Sequence, residues 1–125
     1  MTSVLVIVED DADVRLLIKL MLKVDPRLEI SGEGVTAADA VELAQTAAPD
    51  LIILDHYIDG PVMGLDISPQ LKMAAPGAKI LLFSSHDLSA EVARQPAIDA
   101  FLRKDRMDAL LPTVQSLLDL ELVET

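Results

Sequence analysis

The sequence predicts an α/β domain: a doubly wound, five-stranded parallel sheet with five helices. Three observations carry this reading. Five short Val/Ile/Leu runs are bounded by polar residues, the pattern of strands covered on both faces. Segments of helical spacing separate them, and strict alternation with right-handed crossovers makes an open parallel sheet. The third is size: 125 residues, 51% of them hydrophobic and none cysteine, suit one domain that buries its own core without covalent staples.

The first strand is expected over 4–8 and ends in Glu9-Asp10-Asp11. The first helix follows over about 13–24, with Val14, Leu17, Ile18, Met21 and Val24 on one stripe and Asp10 or Asp11 able to cap it. The second strand, over 28–31, is the weakest. Thr36 and Asp39 resemble a capping box for a helix over 37–47, which Pro49 follows. The third strand, 51–54, ends in Asp55, and a helix over 65–75 stops before Pro76-Gly77. The fourth strand, 80–83, ends in Ser84-Ser85, and a short helix over 87–95 ends at Pro96. The fifth strand, 98–102, ends in Arg103-Lys104. The last helix covers 107–122, where Pro112 either falls in an early turn or kinks it. The whole of 1–125 is expected to be a single domain with no output domain after the fifth helix.

Composition excludes several functions. Ten Lys+Arg against 21 Asp+Glu give a net charge of −11, which repels a phosphate backbone and argues against direct nucleic-acid binding. The lack of cysteine removes thiol catalysis and Cys-type zinc sites, and two histidines do not make a His-rich metal site. No apolar run is long enough for a membrane span, and the acids after the first strand do not suit a signal peptide. A cytoplasmic location is expected.

In a doubly wound sheet, ligands bind outside the carboxyl ends of the strands. Those ends here carry Glu9, Asp10 and Asp11, then Asp55, then Ser84, then Lys104. Taken singly, each has a plain reading: a helix cap, a turn residue, a solvated lysine. Together they describe a site. Clustered carboxylates repel unless a cation joins them, and an all-oxygen set suits Mg²⁺. Lys and Ser can hold the remaining oxygens of a phosphoryl group, and an Asp carboxylate can be the nucleophile of phosphoryl transfer.

These residues resemble a known family. VLVIVEDDADVR at 4–15, PDLIILD at 49–55, GLDI at 64–67, KILLFSS at 79–85 and AFLRKD at 100–105 look like the motifs of bacterial two-component receiver domains. The resemblance covers essentially the whole chain and implies a flavodoxin-like sheet with strand order 2-1-3-4-5. It implies that Asp55 is the phosphoacceptor, that Glu9, Asp10, Asp55 and the Tyr57 backbone carbonyl hold Mg²⁺, and that Lys104 and Ser84 bind phosphoryl oxygens. Ser84 and Phe101 would form the switch, and Tyr57 and His86 would tune the acyl phosphate lifetime. The phosphoryl donor would be a phosphohistidine on a sensor histidine kinase or a histidine phosphotransfer protein, with the receiver contributing the catalysis. A kinase would dock on the first helix, where Leu16 and Leu20 fall outside the core face. The downstream target is unspecified, and a homodimer formed on phosphorylation is a further implied partner.

Departures from the family pattern also stand in the sequence. Asp59 occupies a position where Pro is common, the 56–63 loop is about one residue long, and Asp105 rather than Pro follows Lys104. A cis bond there is therefore not expected. The short stretch between Ser84 and Lys104 predicts a brief fourth helix. The alternative reading is a degenerate receiver that works as a phosphorylation-independent interaction module. A haloacid dehalogenase-type phosphatase is disfavoured, because Tyr57 stands where that class needs a second Asp.

Overall fold

Leu5–Val8 and Leu51–Leu54 are wholly buried apolar segments, and they form two of the three interior strands of the sheet. The computed structural model describes residues 2–121. The elements run β1 (Ser3–Val8), α1 (Ala12–Leu22), β2 (Leu28–Gly34), α2 (Ala37–Thr46), β3 (Leu51–Leu54), α3 (Gly64–Ala74) and β4 (Lys79–Ser84). There follow α4 (Ser89–Ala93), β5 (Ala100–Arg103), a 3₁₀ segment (Lys104–Ala109) and α5 (Leu110–Leu117). The sheet is parallel throughout, in the order β2-β1-β3-β4-β5. This is the architecture the sequence predicts.

Alternation along each strand builds two cores. Val6, Val8, Ile52, Leu54, Ile80 and Leu82 face Ala40 and Ala44 of α2 and Ile67 and Leu71 of α3. Leu5, Ile7, Leu51, Ile53, Leu81 and Phe83 face Ile18 and Leu22 of α1 and Leu110 and Val114 of α5. Each buried Val, Ile, Leu or Phe among them contributes about 1.5–3 kcal/mol by leaving water, so the sheet is the stable platform from which the connecting loops project. Register sets the loops' position: Val8 pairs with Leu54, so the residues after β1 and β3 emerge side by side.

Several boundaries differ from expectation. β2 runs to Gly34 rather than 31 because it is an edge strand whose outward residues are Glu and Ser. Its Gly32 and Gly34 lie under α2, where a Cβ would meet Leu43 at 2.5 Å and Asp39 at 2.7 Å. Glycine there marks close approach of a helix rather than a break in the strand. β5 starts at Ala100, two residues later than predicted; Ile98 is buried just before it. On α1, Ile18 and Leu22 are buried whereas Leu17 (43% exposed) faces solvent, so the predicted inward stripe is rotated; the helix ends at Leu22, and Val24 (54%) lies exposed beyond it. Asp11 caps α1, accepting from the Asp13 and Val14 amides. Thr36 and Asp39 form the expected capping box.

α4 has five residues, as brief as predicted. The last helical stretch is two pieces: 104–109 is 3₁₀, and α5 proper begins at Leu110, which puts Pro112 in its first turn where no helical N–H is lost. The predicted end at Leu122 lies outside the described residues. Pro69 sits inside α3; the Leu65 carbonyl that its missing N–H would have served accepts from Ser68 Oγ at 2.7 Å instead.

A buried polar clasp closes the opposite edge. Asp25 is wholly buried, and its carboxylate accepts from the Arg27 amide (2.9 Å), the Arg27 guanidinium (2.8 Å) and Gln115 Nε2 (3.0 Å). Arg27 also donates to the Glu121 carbonyl at 2.5 Å. Among the described residues, no helix is long and apolar enough to cross a membrane.

Candidate functional site

The adjacency of β1 and β3 places Glu9 and Asp55 at the same sheet edge, and the chain after β5 brings Lys104 between them. Lys104 Nζ lies 2.9 Å from Asp55 Oδ2 and 2.5 Å from Glu9 Oε1. Glu9 is 2% exposed and Asp55 5%. The exposed Asp10 completes the group: Glu9, Asp10 and Asp55 each offer a carboxylate oxygen, all within 4.8 Å of one another.

The loops that carry these groups are tied down. The Glu9 amide donates to the Gly34 carbonyl (2.9 Å), and the Asp55 amide donates to the Val8 carbonyl (2.9 Å). Arg15 Nη1 donates to the Glu9 carbonyl at 2.6 Å, while its Nε pairs with Glu33 at 3.3 Å. Arg15 thus holds the acidic loop to α1 and β2. Sequence reasoning missed it, although a cation in the turn after an acidic loop was the available signal.

The electrostatics are unbalanced. One ammonium faces three carboxylates. Burial pushes the Glu9 carboxyl up to about 7, the Lys104 contact opposes the rise, and the nearby Asp55 charge adds to it. Lys104 is itself shifted up: burial works against its charge, but the bonds to Glu9 and Asp55 outweigh burial. Glu9 Oε1 is buried and, apart from its ion pair, has no aligned hydrogen-bond donor. An under-satisfied buried carboxylate oxygen in a hard, all-oxygen cluster with excess negative charge fits a small divalent cation. Glu9, Asp10 and Asp55 are the side chains that would hold it.

The remaining predicted residues fall around this centre. Ser84 is buried at the end of β4, its Oγ 3.4 Å from the His86 amide. Phe101 pairs in register with Leu82 and belongs to the same core face, half-buried beside β4. Tyr57 is exposed, and its ring lies 4.8 Å from His86 and 4.7 Å from His56. Leu16 (52% exposed) and Leu20 (54%) lie on α1, outside both cores. His56 Nδ1 accepts from the Leu65 amide at 3.2 Å. The peptide bonds of the described residues are all trans, Lys104–Asp105 included.

Comparison with known proteins agrees with this fold. The family model for the response regulator receiver domain matches residues 5–115. The response regulator protein VraR of Staphylococcus saprophyticus is 30% identical over 99 residues, covering 78% of this chain and 47% of its own length. The protein-glutamate methylesterase/protein-glutamine glutaminase 2 of Photobacterium profundum is 35% identical over 101 residues, 80% of this chain and 25% of its own. The chain therefore spans half or less of the length of these curated relatives. Among solved structures, a LuxR-family two-component response regulator from Aurantimonas superposes with a TM-score of 0.86 at 22% identity, covering 95% of this chain and 86% of that one. A domain matched over 5–115, with the fold and the acidic edge described above, belongs to the response regulator receiver domain family of two-component systems.

Proposed function

We propose that this receiver is a working phosphorylation switch, with Asp55 as the phosphoacceptor. The observation that carries the reading is Lys104 set against both Glu9 and Asp55 beside the exposed Asp10, four groups contributed by three strand ends. Mg²⁺, when bound by Glu9, Asp10, Asp55 and the Tyr57 carbonyl, supplies charge neutralisation and a coordination point for a phosphoryl oxygen.

An Asp55 carboxylate oxygen attacks the phosphorus of a phosphohistidine on a histidine kinase or phosphotransfer protein. The new O–P bond forms as the N–P bond breaks. The bonding pair leaves with the imidazole nitrogen, which takes up a proton, and the product is an aspartyl acyl phosphate. Lys104 exchanges its bond to Asp55 for one to a phosphoryl oxygen, and the Ser84 hydroxyl donates to another. Phe101, on the same core face as β4, follows Ser84 inward and alters the surface around β5, a two-state response to a local charge event. Tyr57 and His86 flank the acyl phosphate and control water's approach. Leu16 and Leu20 form the apolar centre of the donor's docking surface on α1.

The test is intact mass after incubation with Mg²⁺ and acetyl phosphate. One added phosphoryl group is expected in the parent, and none without Mg²⁺ or in Asp55→Ala. Failure to bind Mg²⁺ at all would replace this reading with that of an interaction module that is never phosphorylated.

A further inference from the structure

The proposed chemistry leaves one residue beside the phosphoacceptor unused. His56 follows Asp55 directly, yet both its backbone and its side chain reach across the loop to α3. Its carbonyl accepts from the Gly64 amide at 2.7 Å, and its Nδ1 accepts from the Leu65 amide at 3.2 Å. These are the first two amides of α3, whose own N-cap residue, Met63, offers no side-chain acceptor. The next two amides, of Asp66 and Ile67, go to the Met63 carbonyl at 3.1 Å each. The bond from Ile67 is the first ordinary helical one; the three amides before it, of Gly64, Leu65 and Asp66, have no partner one turn back and are satisfied here, two of them by His56 alone.

We propose that His56 is a positioning residue: it clasps the 57–63 loop to the first turn of α3 and thereby fixes Tyr57 beside Asp55. This rests on the reading that the Asp55 cluster holds a divalent cation. The loop's far side is held separately, because the Asp59 amide donates to the Val35 carbonyl at 2.8 Å and Ile58 is buried in the core. Tyr57 therefore lies between two fixed points, His56 on one side and Ile58 on the other. The His56 ring also meets the Tyr57 ring edge-on at 4.7 Å, and Tyr57 in turn meets His86 at 4.8 Å. A single side chain links the start of α3 to the aromatic arch beside the site. Accepting through Nδ1 puts the neutral ring's proton on Nε2.

Two substitutions separate the acceptor from the ring. Asn carries its Oδ1 at the same branch position as the histidine Nδ1, so His56→Asn keeps the acceptor and loses the ring. His56→Phe keeps a ring and loses the acceptor, and His56→Ala loses both. The readouts are Leu65 amide hydrogen exchange in the metal-free protein and Mg²⁺ affinity of the unphosphorylated protein. His56→Asn should keep Leu65 protected and bind Mg²⁺ within about twofold of the parent. His56→Phe and His56→Ala should both lose that protection and bind Mg²⁺ about tenfold more weakly, the usual penalty for losing a group that orients a metal ligand. Parent-like Mg²⁺ affinity in His56→Phe overturns the proposal, even if Leu65 protection is lost. So does a His56→Asn variant as weak as His56→Phe. If the parent itself binds no Mg²⁺, the metal reading fails, and the positioning role fails with it.

Discussion

Replacing Gly64 with alanine tests whether the site's geometry depends on backbone contact. Gly64 is the first residue of α3, and a Cβ built on it lies 2.0 Å from the Asp55 carbonyl oxygen, 2.9 Å from its carbon and 3.0 Å from His56 Cα. Ordinary contact begins near 3.4 Å, so the Asp55 peptide and α3 must separate by about 1.4 Å. All three neighbours are backbone, with no rotamer to relieve the overlap. Two effects favour alanine: better helix propensity, up to about 1 kcal/mol, and a less flexible unfolded chain, about 0.4–1 kcal/mol. Forcing a methyl group into a closed site costs about 1–3 kcal/mol, and immobile backbone belongs at the upper end. The expected net loss is about 1–1.5 kcal/mol, which lowers the melting temperature of a domain this size by roughly 4–6 °C. Urea denaturation measures it, with an unchanged slope confirming that only stability moved. The displacement falls on the Asp55 peptide, so Mg²⁺ affinity should fall too. Gly77→Ala is the control, since nothing lies within 4 Å of its Cβ and its φ is not left-handed; it should be neutral or slightly stabilising. A Gly64→Ala variant as stable as the parent would refute the reasoning.

Other perturbations follow from the same geometry. Asp25→Asn weakens the bonds from Arg27 and Gln115. Those bonds, that from Arg27 foremost, hold the Asp25 carboxyl well below the usual carboxylate range. A depressed native pKa means stability that is present above about pH 4 and lost as pH falls further. Asp25→Asn should therefore lose about 1–3 kcal/mol at pH 7, with the gap to the parent narrowing below about pH 4 in parallel urea titrations. Lys104→Met should slow phosphorylation by acetyl phosphate about a hundredfold by mass time course, because one aimed cation at the transferring group is gone. Paired Leu16→Asp and Leu20→Asp changes should slow transfer from the cognate kinase about tenfold while leaving acetyl phosphate reactivity unchanged. An equal loss with both donors would place the damage in the site rather than the docking surface.

The fold was legible because β1 and β3 are uninterrupted Val/Ile/Leu runs, the pattern of strands covered on both faces. The acidic edge was legible because carboxylates directly after two such strands have one place to go in a parallel sheet. What escaped notice has physical causes. β2 was read short because Gly32 and Gly34 look like strand breakers, and only the packing of Leu43 and Asp39 of α2 shows why glycine is needed. Leu17 and Val24 were assigned to the core because five apolar residues on one helix define more than one stripe, and the sheet alone decides which is buried. The start of α5 was placed early because 3₁₀ and α segments share short-range spacing. His56 and Arg15 escaped because their partners, an amide nine residues on and a carbonyl six residues back, are backbone groups that leave no mark in a pattern of side chains.

The clasp around Asp25 bears on how the chain is made. Gln115 donates to it from 90 residues further along, and the Glu121 carbonyl engages Arg27 from 94 residues away. At ordinary elongation rates of about 5–20 residues per second, the ribosome needs roughly 5–18 s after Asp25 emerges to deliver its last side-chain partner. During that interval Arg27, two residues on, is the local cation that can shield the carboxylate. The nascent chain can pair β1 with β2 early, but the α1–α5 side of the sheet closes only once the final helix has left the exit tunnel.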